Sequence, residues 1–347
     1  MIAERLTSQL LAGEPAANPV AVVERLLAVQ GQDPRGVRLA IRARSSGLTA
    51  ADVDRALTQE RSLLIGWLNR GTLHLVRSED YHWLLALTAP GRLTSNSTRL
   101  AQEGLTPAAA ERGIAVIEKA LGEEGPLTRA QLGERIAAQR VRTEGQALVH
   151  LLFAASLRGL IVRGPVVGGD QAYVLVREWL GAPPPIDRDQ ALAELARRYL
   201  AGHGPTDERD LAYWAGLPLR DTRAGFAAIA SEITRREDGL FELSGAAAPA
   251  PLPPPRLLGA FDPVLHGWRS REPIVGSACG VVTSNGIFRP IALVRGRAVA
   301  TWGMPRGEVA LSPFQPLSKK DTAALAREAE DVARYLTGEP GASSATE

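Results

Sequence analysis

The chain has 347 residues, of which 45% are hydrophobic and 22% are charged, a composition typical of a globular protein with about two or three domains. It contains no run of about 18 to 20 apolar residues and no apolar stretch near its N-terminus, so we expect a cytoplasmic, nucleoid-associated protein with neither a membrane span nor a secretory leader. A single cysteine, Cys279, excludes a disulfide framework, and at a net charge of +2 nearly all basic residues are arginines, which suit phosphate oxygens.

The first predicted module covers residues 1–104. Asn18-Pro19 opens a helix that we expect to run to Val29 and to end at Gly31, which would adopt a left-handed conformation. Asp33-Pro34 opens the next helix, with Asp33 as its N-cap. The run LLIGWL-NRG-TLHLV then predicts a strong β-hairpin.

Two further modules, residues 105–182 and 186–246, repeat one plan of helix, short helix, longer helix and Gly-containing hairpin. Their first helices are expected to end at Gly122 and Gly202. The runs Thr128–Gln131 and Thr143–Gln146 both match the capping box that opens a helix. A helix-turn-helix followed by a hairpin wing is the winged-helix pattern.

Residues 256–338 form a fourth predicted module after a proline-rich linker, and 339–347 are expected to be a disordered tail. LLGAFD, CGVVT, RPIALVRG and RAVATWG are interpreted as strands, and 321–336 as a terminal amphipathic helix. The fold class is therefore predicted as α+β: tandem winged-helix modules with a C-terminal mixed β module, forming a concave cradle for DNA.

Most motifs of known chemistry are absent. The sequence has no GxSxG elbow, P-loop, dinucleotide fingerprint or zinc-type His/Cys spacing, so we predict neither a cofactor nor a metal. Only Lys119, Lys319 and Lys320 could supply the amine of a Schiff-base lyase, and none stands in a distinctive motif. A lyase is therefore disfavoured.

Gln30 and Gln32 have no structural role in this scheme, unlike Gly31 and Asp33 between and beside them. In an extended corner, residues i and i+2 face the same way, so the two amides can converge on one water or sugar oxygen. The other interpretation is two solvated glutamines at a helix end. The residues themselves leave both open.

The segments VQGQDPRGVRLAIRAR, GWLNRGTLHLV followed by SEDYHWL, and LLGAFDPVLHGWRSR with LVRGRAVATW together resemble the AlkZ/YcaQ winged-helix DNA glycosylase family, in order and over nearly the whole chain. That resemblance implies hydrolysis of the N-glycosidic bond of alkylated purines. The family's catalytic signature is Gln-x-Gln in one branch, which Gln30 and Gln32 match, and Gln-x-Asp in another.

The Gln-x-Gln branch includes self-resistance enzymes of producers of DNA-alkylating antibiotics. The resemblance therefore implies a monofunctional glycosylase for bulky N7-alkylated guanine in double-stranded DNA, with interstrand crosslinks as further substrates. By default we expect a monomer with no obligate protein partner. Its proposed catalytic residues are Gln30 and Gln32, which would orient a water, and Asp33 or Asp262 would be the candidates if a stronger base were needed. The alternatives are a non-catalytic winged-helix transcriptional regulator and a protein–protein scaffold.

Other polar residues are predicted to contact DNA or the lesion. Each has a competing structural interpretation: a packed strand residue for His74, a turn cap for Asp262, and solvated wing residues for the wing arginines. The full set is Arg70, His74, Arg163, Arg235, Arg236, Asp262, His266, Arg269 and Arg271.

Overall fold

The computed structural model describes residues 1–246, 248–276 and 280–338, so Cys279 and the predicted tail lie outside the described residues. The helices are α1 (Ile2–Ser8), α2 (Pro19–Leu26), α3 (Pro34–Arg42), α4 (Ala50–Thr58), α5 (Tyr81–Thr88), α6 (Pro90–Gln102), α7 (Pro107–Glu124), α8 (Arg129–Ala138), α9 (Ala147–Leu157), α10 (Val176–Trp179), α11 (Arg188–His203), α12 (Glu208–Ala215), α13 (Leu219–Ala228), α14 (Glu272–Val275) and α15 (Lys319–Thr337). The strands are β1 (Val29–Gln30), β2 (Leu63–Trp67), β3 (Leu73–Arg77), β4 (Ile161–Val167), β5 (Asp170–Leu175), β6 (Ile233–Arg235), β7 (Phe241–Leu243), β8 (Arg256–Leu258), β9 (Ile291–Val294), β10 (Arg297–Gly303) and β11 (Ala310–Pro313). The predicted α+β class is confirmed, and no helix within the described ranges is long and apolar enough to cross a membrane.

The chain divides into two compact units that draw on separated stretches of sequence. Unit 1 comprises Met1–Val53, Leu192–Trp214 and Pro218–Glu347, and unit 2 comprises Asp54–Ala191 and Ala215–Leu217. The modules predicted from the sequence are continuous stretches of chain that repeat a local pattern, so they are not the same kind of division as these units. The module boundaries stay a prediction.

In unit 2, strands β3, β2, β4 and β5 lie side by side in that order, and the hairpin predicted around NRG is confirmed with Leu63 opposite Arg77 and Trp67 opposite Leu73. The capping box of Thr128 and Gln131 is also confirmed, with both of its hydrogen bonds present. The second predicted capping box, at Thr143–Gln146, is wrong. Helix α9 begins only at Ala147, and the side chain of its N-cap residue, Gln146, makes no capping hydrogen bond. The Gln146 N–H is bonded instead to Glu103 Oε2, a distant residue that the local pattern does not contain.

Two predicted helix ends are also wrong. Helix α7 continues past Gly122 to Glu124, and the glycine that ends it is Gly125, which has a positive φ of 81°. Helix α11 contains Gly202, where a Cβ would lie 2.5 Å from the carbonyl oxygen of Arg25. This glycine permits a close approach of two backbones rather than a helix end.

In unit 1, an antiparallel sheet of order β11-β10-β9-β8 carries α15 against β8. Its apolar core includes Leu257, Trp302, Leu325 and Val332, so the amphipathic terminal helix is confirmed. CGVVT is not among the strands described, although Val282 makes an isolated bridge with Phe288. Strand β11 was not predicted, because three of its four residues are exposed and show no apolar alternation.

Candidate functional site

Gln30 lies in the two-residue strand β1 and Gln32 in the bend that follows it, and the beginning of this segment differs from the prediction. Helix α2 ends at Leu26, Leu27 adopts φ 65°, and Val29–Gln30 form β1. The expected end at Gly31 is therefore wrong. The positive φ of Leu27 takes the chain out of the helix, and Leu26, Leu27, Ala28 and Val29 are all buried.

Gln30 and Gln32 lie in different environments at this corner. Gln30 is only 7% exposed, whereas Gln32, two residues later, is exposed. Asp33 caps α3 as predicted, because its Oδ1 accepts a hydrogen bond from the Gly36 N–H. One oxygen of this carboxylate is therefore committed to the helix start, which fixes the chain directly after Gln32.

Helix α3 is held against the segment that follows β8. A Cβ at Gly36 would lie 2.3 Å from the carbonyl oxygen of Ala260, and a Cβ at Gly259 would lie 2.9 Å from the Gly36 Cα. At the other end of the helix, Arg42 Nη2 donates to Leu257 O and to Glu328 Oε2. The two ends of α3 therefore have fixed neighbours, and the first turn adjoins the glutamine corner.

Asp262 forms a fully buried ion pair with Arg44, just after α3. Arg44 Nη1 lies 2.9 Å from Asp262 Oδ2, Arg44 Nη2 lies 2.8 Å from Asp262 Oδ1, and both side chains have no exposed surface. Asp262 Oδ1 also accepts a hydrogen bond from the Val264 N–H, which is the predicted turn cap. Contact of Asp262 with DNA or with a water nucleophile would require this pair to open.

His266, Arg269 and Arg271 follow in the same segment and are all engaged within unit 1. The ring of His266 is 6% exposed and lies with its centroid 4.0 Å from that of Phe288. Arg269 Nε donates to Asp210 Oδ1 over 3.1 Å, and Arg271 Nε donates to Leu265 O over 2.8 Å. Their contact with DNA stays a prediction, strongest for Arg269, whose side chain is 48% exposed.

The β6–β7 arginines of unit 1 differ from each other. Arg236 donates hydrogen bonds to Glu4 and Glu242. These bonds raise the pKa of its guanidinium above the ordinary value, and the bond to Glu4 contributes most. Arg235 is exposed, with its guanidinium 6.0 Å from the Phe241 ring. Of the two, Arg235 has the more accessible charge for a phosphate.

Unit 2 contains the remaining predicted residues. Arg70 occupies the NRG turn at φ 56° and is half-buried. His74 is 2% exposed and its Nδ1 lies 3.0 Å from Thr72 O; burial, with a smaller contribution from the positive charge of Arg70, lowers its pKa to about 3. His74 is therefore neutral near pH 7, which is the state of a packed strand residue.

Arg163, on β4, is held over aromatic rings rather than extended from the wing. Its Nε donates to Tyr173 Oη over 2.9 Å, and its guanidinium lies 5.4 Å from the Trp67 ring. Contact of Arg163 with a phosphate stays a prediction and would compete with these interactions.

Comparison with known proteins places most of the chain in one family. The family described as DNA glycosylase AlkZ-like matches residues 23–335. This chain belongs to the AlkZ-like DNA glycosylase family. It is 28% identical to the interstrand DNA cross-link repair glycosylase of Streptomyces sahachiroi, over 96% of this chain and 95% of that protein. It also resembles the solved structure of Streptomyces sahachiroi DNA glycosylase AlkZ, with a TM-score of 0.76, 26% identity, and coverage of 96% of this chain and 95% of that one.

DNA is the substrate of an AlkZ-like DNA glycosylase. The sequence analysis proposed candidate site residues but did not single out the residues that hold their segments in place. Arg42 and Arg44 were not singled out. In RLAIRAR they stand among apolar residues, a pattern that could have predicted that one face of this segment is buried. Their partners Glu328 and Asp262 lie more than 200 residues away. Such pairing is invisible to any local pattern.

Proposed function

We propose that this chain is a monofunctional glycosylase that hydrolyses the N-glycosidic bond of N7-alkylated guanine in duplex DNA. The observation that carries the proposal is the family match over residues 23–335, together with the position of Gln30 in β1 and of Gln32 in the bend before the clamped helix α3. The named role of the Streptomyces sahachiroi relative supports interstrand crosslinks as a further substrate class.

A guanine alkylated at N7 carries a positive charge, so it leaves as a neutral base without being protonated first. A water adds to C1′, the C1′–N9 bond breaks with its electrons passing to the base, and the proton of the water is released. In this proposal Gln30 and Gln32 orient that water by amide hydrogen bonds. Since the leaving group is already activated, no strong base is needed.

The positions of the three lysines agree with a reaction without a Schiff base. Lys119 is exposed and lies 3.9 Å from Glu123 on α7, and Lys319 and Lys320 are exposed at the start of α15. A Schiff-base lysine works in a desolvated pocket or beside another cationic group, and the exposed positions of these lysines offer no desolvated pocket. We therefore expect an abasic site as the product, with no strand break.

The test uses duplex DNA with a single N7-alkylguanine, and measures free base and alkali-labile sites under single-turnover conditions. We expect Gln30→Ala and Gln32→Ala each to lower the rate by about 100-fold, the effect of misplacing a reacting group by about 1 Å. The matched control is Gln139→Ala, at an exposed glutamine in unit 2, which should keep the wild-type rate.

Three outcomes would contradict the proposal in different ways. Tight sequence-specific binding without base release would favour a regulator. Undiminished release by the Gln30→Ala/Gln32→Ala double variant would refute the site but keep the activity. Strand cleavage without alkali would refute the monofunctional mechanism. A crosslinked duplex run on a denaturing gel tests the crosslink substrate, since unhooking separates the strands.

A further inference from the structure

Helix α9 occupies the position that a winged helix gives to its DNA-recognition helix, yet it has no exposed face. Eight of its 11 residues are buried, among them Leu148, Leu151, Leu152 and Ala155, and the remaining three are half-buried. A recognition helix must present several side chains to the edges of the bases in the major groove. In this protein α9 is a core helix and has none to present.

The outer side of α9 is covered by helix α6, which precedes it in the same unit. Asn96, buried on α6, donates from Nδ2 to His150 O over 3.1 Å, and its Oδ1 lies 2.8 Å from His150 Nδ1. Leu100, one turn later, is buried as well. Glu103, just after α6, is bonded to the Gln146 N–H at the start of α9. Helix α6 therefore lies where the DNA of an ordinary winged helix would lie.

The accessible surface of α6 has the chemistry of a phosphate-binding surface. Arg92, Ser95, Arg99 and Gln102 follow at intervals of three and four residues, which places them in one stripe along the helix. No aspartate or glutamate occurs anywhere from residue 81 to residue 102. Because a nearby carboxylate would repel phosphate, the lack of one within α5 and α6 favours a polyanion as partner. The next one, Glu103, has Oε2 bonded to the Gln146 N–H.

The two arginines of this stripe carry uncompensated charge. Arg99 Nη1 donates to the Gln102 side-chain oxygen over 3.0 Å, which leaves its charge unneutralised. Arg92 makes no side-chain hydrogen bond or ion pair with any residue that the structure describes. By contrast, Arg158 of the same unit is bonded through both terminal nitrogens to Glu111.

The side chain of Arg92 lies across two glycines beside the NRG turn. A Cβ at Gly216 would lie 2.9 Å from Arg92 Nη2 and 3.1 Å from the backbone nitrogen of Arg70, and a Cβ at Gly71 would lie 3.6 Å from Arg92 Cδ. Both glycines have φ 72°. A side chain at Gly216 would meet the Arg92 guanidinium, so this glycine leaves the space that the cation occupies.

We propose that helix α6 contacts the sugar-phosphate backbone of duplex DNA in place of the buried α9, with Arg92 and Arg99 each binding a phosphate. The identity of the partner as DNA rests on the proposed function. The contact carries no sequence information, because arginine bound to phosphate does not read bases. It orients the duplex on unit 2 equally for damaged and undamaged DNA.

The experiment measures the affinity of the full chain for undamaged duplex DNA between about 50 and 200 mM salt. Each phosphate contact contributes about 0.9 to the slope of log affinity against log salt, so Arg92→Ala/Arg99→Ala should reduce that slope by about 2. The matched control, Arg158→Ala, removes a guanidinium already neutralised by Glu111 and should leave the slope unchanged. Thermal unfolding of all variants checks that the fold is intact.

An unchanged slope in the folded double variant would overturn the proposal, as would an equal decrease in the Arg158→Ala control. Absence of duplex binding by the wild-type chain would overturn it too. Because undamaged DNA is bound without any reaction, the result is independent of base release. If the glutamine variants failed to affect catalysis, the proposed phosphate contact of helix α6 would therefore be unaffected.

Discussion

Arg44 uses all of its N–H donors although it is completely buried. Nε donates to Gln9 O, Nη1 to Ala40 O and Asp262, and Nη2 to Asp262 and the Gln9 side chain. Gln9 Nε2 in turn donates to Gly202 O over 2.6 Å. A buried charge is tolerated only when it is paired and hydrogen-bonded in this way. The network joins the N-terminal segment, α11 and the segment after β8 within unit 1.

Asp262→Leu should lower the free energy of unfolding by about 3 to 5 kcal/mol, because it leaves the Arg44 charge buried without a partner. The double variant Arg44→Met/Asp262→Leu should be clearly more stable than that single variant, since the unpaired charge is gone. Urea denaturation measures both. As a control, Glu123→Ala breaks an exposed pair with Lys119 and should change stability by less than about 1 kcal/mol. A double variant no more stable than Asp262→Leu would show that charge burial is not the cause.

At the scale of elements, helix α3 shows why the glutamine corner is rigid. Its N-terminal turn touches the backbone of Gly259 and Ala260, and its C-terminal end is bonded to Leu257 O through Arg42. The contacts of the N-terminal turn are between backbones, whereas the contact at the C-terminal end is made by the charged side chain of Arg42. The sequence predicted the helix and its Asp33 cap, but nothing in PRGVRLAIR indicates that Gly36 faces another backbone.

Gly36→Ala should therefore destabilise the protein by about 1 to 3 kcal/mol, because the new methyl group would lie 2.3 Å from Ala260 O and α3 would have to shift. Base release should fall with it, since the shift displaces Gln32. Gly122→Ala is the matched control, because Gly122 also lies in a helix and a Cβ there would have its nearest neighbours 3.7 Å away. Alanine at this position should stabilise the protein by up to about 1 kcal/mol. Equal effects of the two substitutions on urea unfolding would refute the backbone contact.

At the scale of the whole molecule, each unit contains a buried histidine whose pKa is strongly lowered. His74 lies in unit 2, and His203 in unit 1 is stacked on Tyr199 with ring centroids 4.5 Å apart. Burial lowers the pKa of each imidazole to about 3, and the charges of nearby arginines add to this. Both units are therefore expected to lose stability in acid for the same reason.

The folded-state pKa of these histidines lies below the unfolded value of about 6.5, so the stability is fully present above pH 6.5 and is lost as the pH falls from about 6.5 towards 3. Each histidine contributes about 1.4 kcal/mol per pH unit within that window. His203→Phe keeps an aromatic ring and should reduce the loss of stability between pH 7 and pH 5 by about 2 kcal/mol, measured by urea unfolding at both pH values. An unchanged loss in the variant would mean that His203 binds protons equally in the folded and unfolded states, and that burial does not lower its pKa.

The sequence by itself determined the α+β class, the hairpin around NRG, the first capping box, the terminal helix and the family, because each depends on local periodicity, turn chemistry or motifs in a fixed order. It placed Gln30 and Gln32 in an extended corner, whose role stays a prediction. Only the tertiary structure decided that α2 ends at Leu26, that Asp262 is buried against Arg44, and that α6 covers α9. Those features depend on partners distant in the sequence, and burial of a charge or of a whole helix follows from what packs on it.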